Sequence, residues 1–193
     1  MRIIMRNIFK VLMAGLMVIP ASCSSSKVEA VQEPPVEIEQ VELGVNLSPN
    51  ERVVLKFLHE RGITDKMALA VLMGNIKQES KFTPDICEGG ARVGYDSCHS
   101  GGFGLIQWTT SGRYLGLGRH ADRTGGDPST LRTQLEYLVT EDEWLQVEHK
   151  FKTPGKSMDY YMGAAFFWLG WGIHGERTNY SHHYYANLGE IPK

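Results

Sequence analysis

The sequence has no stripe of basic residues, no paired C-x-x-C, no internal repeat and only three cysteines. Each absence removes a class of function. Without a basic stripe, and with a formal net charge of -2, the chain has no electrostatic footprint for nucleic acid. Without C-x-x-C spacing, the usual structural zinc motifs are excluded. Without repeats, a solenoid is excluded. The apolar run Val11 to Ile19 has nine residues, too short to span a bilayer, which takes about 20.

That run does fit a secretory leader. Arg2, Arg6 and Lys10 precede it, and the small residues Ala21 and Ser22 with Cys23 follow it. A small-small-Cys junction resembles a bacterial lipoprotein signal, in which Cys23 becomes the lipidated first residue. Ordinary cleavage after Ala21 or Ser22 is the alternative, and it leaves a free thiol. Removing residues 1–22 takes away three of the 20 basic side chains, leaving 17 against 22 acids. Most of the acidic excess lies in residues 23–47. There Glu29, Glu33, Glu37, Glu39 and Glu42 face Lys27 alone, with Pro34-Pro35 and no aromatic. That composition reads as a solvated tether. The expected organisation is a leader over 1–22, a tether over 23–47 and one domain over 48–193.

In an exported chain, Cys87 and Cys98 are expected to form a disulfide across a glycine-rich loop. Closing about ten residues stabilises by roughly 2–3 kcal/mol. The competing reading is a metal site built on Cys87, Cys98 and His99.

The pattern from Ser48 onward is helical. Ser48, Pro49 and Glu51 make a capping box, and Val53, Val54, Phe57 and Leu58 supply an apolar face. Thr64 is placed to cap a second helix, in which Leu72, Ile76 and Glu79 share a face and which Pro84 stops. A loop or small hairpin follows to Gly104. Ser111 opens a helix to about Arg123. Asp127-Pro128 opens another, lined by Leu131, Leu135, Leu138, Val139 and Leu145, with Glu141, Asp142 and Glu143 solvated. Ser157 starts a helix over Met158 to Leu169 that is apolar on most sides and expected to be central. Tyr184, Tyr185 and Leu188 pack a last short helix. The fold class is mainly α, a helical domain with a small irregular insertion after the Glu79 helix.

Glu79 is the candidate catalytic group. A carboxylate at the C-terminal end of a helix, among apolar neighbours, is disfavoured as an anion, so its pKa rises. That suits a general acid. On helical phase alone, a solvated surface Glu79 between Lys77 and Lys81 fits equally well. Gly101, Gly102 and Gly104 permit close backbone approach, Gln107 offers an amide, and Trp108 can either stack on a sugar or fill core.

These residues carry a resemblance. Glu79-Ser80-x-Phe82 followed by Gly102-x-Gly104-Leu105-x-Gln107 resembles motifs of goose-type lysozymes and soluble lytic transglycosylases. Adding Gly74-Asn75, Trp108-Thr109, Arg113 and Gln134-Leu135-x-x-Leu138 makes the string similar to the phage tail lysozyme family, over about Asn50 to Asn187. The resemblance implies a lysozyme-like fold that cleaves the β-1,4 bond of peptidoglycan glycan. It implies Glu79 as catalytic acid, with Ser80, Phe103, Gly104, Gln107 and Trp108 lining the substrate cleft. Peptidoglycan is the expected partner, together with a membrane reached through the lipid anchor. The chain is expected to act as a monomer, without cofactor, metal or nucleic acid.

The chain departs from that family in its cysteine-bounded loop and in Gly175-Glu176-Arg177, which Thr178-Asn179 follows instead of proline. Glu176 reads as a structural acid paired with an arginine. His174, His182 and His183 read as packing or surface groups. A second carboxylate for inverting hydrolysis belongs about 6.5–9.5 Å from the first. Asp85, Glu88 and Asp96 are the loop candidates, and Asp96 beside Tyr95 is preferred. With no such partner, Glu79 would serve as acid and base in a transglycosylase. A glycan-binding module without catalysis, or a structural envelope lipoprotein, are the remaining alternatives.

Overall fold

A computed structural model describes residues 46–99, 101–109 and 111–189. The expected leader, Cys23 and nearly all of the tether lie outside the described residues. Leu47, expected as the tether's last residue, is buried in the core instead. Seven α-helices and no strand are formed among the described residues. They are α1 (Pro49–Glu60), α2 (Lys66–Ser80), α3 (Ser111–Thr124), α4 (Leu131–Leu138), α5 (Asp142–Phe151), α6 (Met158–Leu169) and α7 (Arg177–Asn187). The mainly α expectation therefore holds.

Helix α1 starts as its sequence dictates. The Glu51 amide donates to Ser48 Oγ at 3.3 Å, and the Ser48 amide donates to the Glu51 carboxylate at 2.7 Å. Its buried face is rotated from the expected one. Glu51, Val54, Leu55 and Leu58 are inside, whereas Val53 is exposed. Glu51 is accommodated because Tyr184 donates its hydroxyl to the carboxylate and Lys77 lies 3.3 Å away.

Helix α2 is the central element. Every residue from Ala68 to Ile76 is buried. The expected central helix, α6, is covered on one side only: Tyr161, Met162, Ala164, Ala165 and Trp168 are buried while Phe166 and Phe167 face out. Asp65, not Thr64, caps α2. Its Oδ1 accepts the Ala68 amide at 2.9 Å and its Oδ2 accepts the Gly155 amide at 2.7 Å, a second bond that fixes the carboxylate. The helix ends before Pro84, at Lys81, whose φ of 52° is left-handed; Phe82 follows with φ 61°. Helix α7 lies close along α2. A Cβ on Gly74 would sit 2.4 Å from Ser181 Oγ and 2.6 Å from its backbone nitrogen, so only glycine permits that approach.

The helix expected from Asp127 to Leu145 is two helices. Thr130 caps α4, and the chain becomes extended at Glu141 (φ -72°, ψ 140°) before α5. The break turns the Glu141 carboxylate inward. Leu145, expected inside, is 53% exposed.

The segment between α2 and α3 is irregular, as its glycines require. Isolated bridges join Ile86 to Arg92, Cys87 to Phe103 and Phe103 to Trp108. Cys87 and Cys98 are bonded to each other. That removes both as ligands for the alternative metal site with His99.

Candidate active site

Glu79 sits in the last turn of α2, one helical turn after Asn75. Its side chain is 15% exposed. Burial raises its pKa above the ordinary glutamate value. Arg177 opposes this by charge and hydrogen bonding, and Arg113 opposes it by charge, without cancelling the rise. The group is therefore easier to protonate than a surface glutamate.

Arg177 opens α7 and is 4% exposed. Its Nη2 donates to Glu79 Oε1 at 2.6 Å, and its Nη1 donates to the Asn75 carbonyl at 3.2 Å. Its guanidinium lies over the Trp171 ring, 4.6 Å from the centroid. Two further contacts dock this end of α7 on α2. Gln78 Oε1 accepts the Glu176 amide at 2.9 Å. Gly175, at φ 57°, leaves room for the Gln78 amide, which would lie 2.7 Å from a Cβ there. The arginine partner expected for Glu176 is not formed: its carboxylate accepts from Asn179 at 2.5 Å, and the neighbouring Arg177 pairs with Glu79.

The Gly-Leu-x-Gln-Trp segment is tied to the same end of α2. Ser80 Oγ donates to the Leu105 carbonyl at 2.7 Å, and the Leu105 amide donates to Gln134 Oε1 at 2.8 Å. The Gln134 amide nitrogen donates to the carbonyls of Pro84 and Pro128. Gly104 has φ 74°, and a Cβ there would meet the Gln134 amide at 2.6 Å. Gln107, itself at φ 54°, spends its amide nitrogen on the carbonyls of Gly104 and Ile86.

Several expected cleft residues are therefore scaffold. Ser80 and Phe103 are buried, and Trp108 is 1% exposed. With no free face, neither aromatic can stack on a sugar. Trp108 instead donates Nε1–H to Glu141 Oε1 at 2.9 Å. Glu141, expected to be solvated, is buried and chelated by Arg113 through Nε at 2.7 Å and Nη2 at 2.9 Å. Burial acts against the Arg113 charge, but its bond to Glu141 outweighs this and raises its pKa. Arg113 and the Trp108 indole thus share one acceptor, Glu141 Oε1.

The loop acids are placed as follows. Asp85 pairs with Arg92 at 2.7 Å, and Glu88 accepts the Gly102 amide at 3.1 Å. Asp96 is exposed in a 3-10 turn over Tyr95–Ser97. That turn is pinned by the stacking of Tyr95 on Tyr114, with centroids 4.3 Å apart, and by the Tyr95 amide donating to Ser129 Oγ at 2.8 Å. Among the described residues, no three His, Cys, Asp or Glu side chains converge as a metal site.

Residues 49–187 match the phage tail lysozyme family. The chain belongs to that family. The family is one of lysozymes, glycosidases that act on peptidoglycan. The matched span contains every helix described above, and the Glu79–Arg177 pair lies wholly within it. The chain is also 30% identical, over 111 residues, to "Morphogenesis protein 1" of Bacillus phage B103. That match takes in 53% of this chain and 27% of the phage protein, so the chain spans only about a quarter of that relative's length. Within the family domain, Glu79 and its glycine-rich partner were legible as a motif. Arg177 was not. Its only signal in the sequence is its place in Gly175-Glu176-Arg177.

Proposed function

We propose that this domain cleaves the β-1,4 glycosidic bond of peptidoglycan glycan strands, with Glu79 as general acid. The observation that carries this reading is the state of Glu79: burial favours its protonated form, yet part of the side chain still reaches solvent. A protonated Glu79 donates its proton to the glycosidic oxygen as the C–O bond breaks. Arg177, at 2.6 Å, then stabilises the carboxylate left behind. That stabilisation grows as the anion develops, so it favours the transition state over the ground state. Proton transfer of this kind uses no cofactor.

For hydrolysis with inversion, Asp96 is the proposed base that activates water. Asp85 and Glu88 are engaged in holding their loop, which leaves Asp96 as the free loop acid. The same engagement favours a second reading, in which Glu79 acts as acid and then base and releases an anhydro sugar end. Mass spectrometry of the muropeptides released by the wild type and by Glu79→Gln separates these. A reducing end marks hydrolysis, an anhydro end marks transglycosylation, and equal release by both proteins would eliminate catalysis by Glu79. Release by neither would leave a glycan-binding module.

The proposed address is the cell envelope, with a lipidated Cys23 and an acidic tether carrying a monomeric domain. The Cys87–Cys98 bond supports an oxidising compartment. Fractionation tests the anchor: Cys23→Ala should move the protein from the membrane to the soluble fraction.

A further inference from the structure

Phe166, Phe167 and Ile173 are 53%, 53% and 83% exposed, a concentration of apolar surface at the end of α6 and in the turn after it. Two of the rings there are ordered by contact. Phe166 meets Trp171 edge-on with centroids 5.2 Å apart, and Trp171 meets His174 edge-on at 6.2 Å. Trp171 is half-buried against the core, and the Arg177 guanidinium, which is bonded to Glu79, lies over its ring. An unbroken series of contacts thus runs from exposed aromatics to the candidate acid.

We propose that Trp171 and Phe166 form the sugar-stacking platform of this enzyme, seating an N-acetylated hexosamine unit of the glycan strand beside Glu79. The proposal rests on the glycan-cleaving reading and gives it the aromatic surface that buried Phe103 and Trp108 cannot supply. A pyranose presents an apolar face of C–H groups, which an exposed aromatic edge or face desolvates. The charge of the patch selects this occupant. The flanking residues Gly170, Gly172, His174, Gly175 and Glu176 bring no lysine or arginine, Arg177 is buried and committed to Glu79, and Arg113, which reaches the Trp168 carbonyl, is paired with Glu141. An anionic lipid surface would need cations there. An uncharged sugar needs rings with a polar rim, and that is what the patch offers.

Intrinsic fluorescence tests the platform directly. The chain has four tryptophans. Trp108, Trp144 and Trp168 are at most 1% exposed and Trp171 is half-buried, so an exposure-sensitive signal comes from Trp171. In Glu79→Gln protein, an N-acetylglucosamine hexamer should shift the emission to the blue, and adding Trp171→Phe should abolish the shift. On cell-wall sacculi, Phe166→Ala should raise KM about tenfold, with the loss carried by KM more than by kcat. Phe166 is exposed and makes no contact with Arg177 or Glu79 in this chain of contacts, so this variant tests the platform without disturbing the acid. An unmoved emission and an unchanged KM, in a wild type that cleaves sacculi, would overturn the platform alone. A shift with phosphatidylglycerol vesicles but not with the hexamer would overturn it in favour of a membrane surface. A hexamer-induced shift in a protein that cleaves nothing would support the platform and overturn the catalytic reading.

Discussion

Arg177 and Glu79 lie 98 positions apart in the chain and 2.6 Å apart in the fold. The cation opposes the burial that raises the Glu79 pKa. It therefore sets the pH at which the acid loses its proton.

Replacing Arg177 with methionine should move the alkaline limb of kcat/KM to higher pH. Both contributions of Arg177 lower the Glu79 pKa, and burial, which raises it, remains. Stability follows with a definite sign. A carboxyl whose folded pKa is raised favours the fold fully below its unfolded-chain value, and this contribution is lost as pH rises through the folded pKa. Melting temperature measured from acid to neutral pH should thus fall more for the wild type than for Glu79→Gln. Arg177→Met should steepen the fall. A limb displaced toward acid would show that Arg177 is not acting through Glu79.

Glu141→Ala should cost about 3–5 kcal/mol in denaturant unfolding, because it leaves Arg113 and the Trp108 indole without their shared acceptor. Glu141→Gln, which keeps an acceptor for the indole, should cost less than the alanine. Equal and small losses would show that the cluster is incidental to the fold.

Gly74→Ala should destabilise by about 1–3 kcal/mol, since the new methyl meets the Ser181 backbone, which cannot swing aside. Activity should fall with it, as α7 carries Arg177. Gly163→Ala is the control. It lies in α6 with nothing within 4 Å of its Cβ, and it should gain about 0.5–1 kcal/mol from helix propensity.

Reductant should lower the stability of the wild type by roughly 2–3 kcal/mol through loss of the Cys87–Cys98 closure. A Cys87→Ser, Cys98→Ser double variant should match the reduced wild type and ignore reductant. Thermal melts with and without thiol measure both.

The parts of this fold that were legible in sequence are those fixed by local chemistry. The capping box at Ser48 and the close approach that Gly102 permits to Gln107 act within a few positions, and each forms as expected. What escaped sequence reading depends on partners far along the chain. Glu141 looked like one of three solvated acids until Arg113 and Trp108 turned it inward and split a helix in two. Asp65 displaced Thr64 as a cap because Gly155 holds its second oxygen. Trp108 could be core or cleft on pattern alone, and only the position of Glu141 decides. Arg177 was invisible for the same reason: nothing within its own helix announces that it faces a carboxylate on α2.

The distance in sequence between Glu79 and Arg177 also orders events in time. During synthesis α2 emerges early, and its carboxylate lacks its hydrogen-bonded cation until α7, the last described helix, has been made and has closed over Gly74. A nascent or truncated chain ending at α6 carries the acid without the group that stabilises its conjugate base. The proton affinity of Glu79 would then reach its final value only with the finished domain. Cutting the turn at residues 170–176 would have the converse effect and raise the proton affinity of Glu79 in a mature molecule by loosening Arg177.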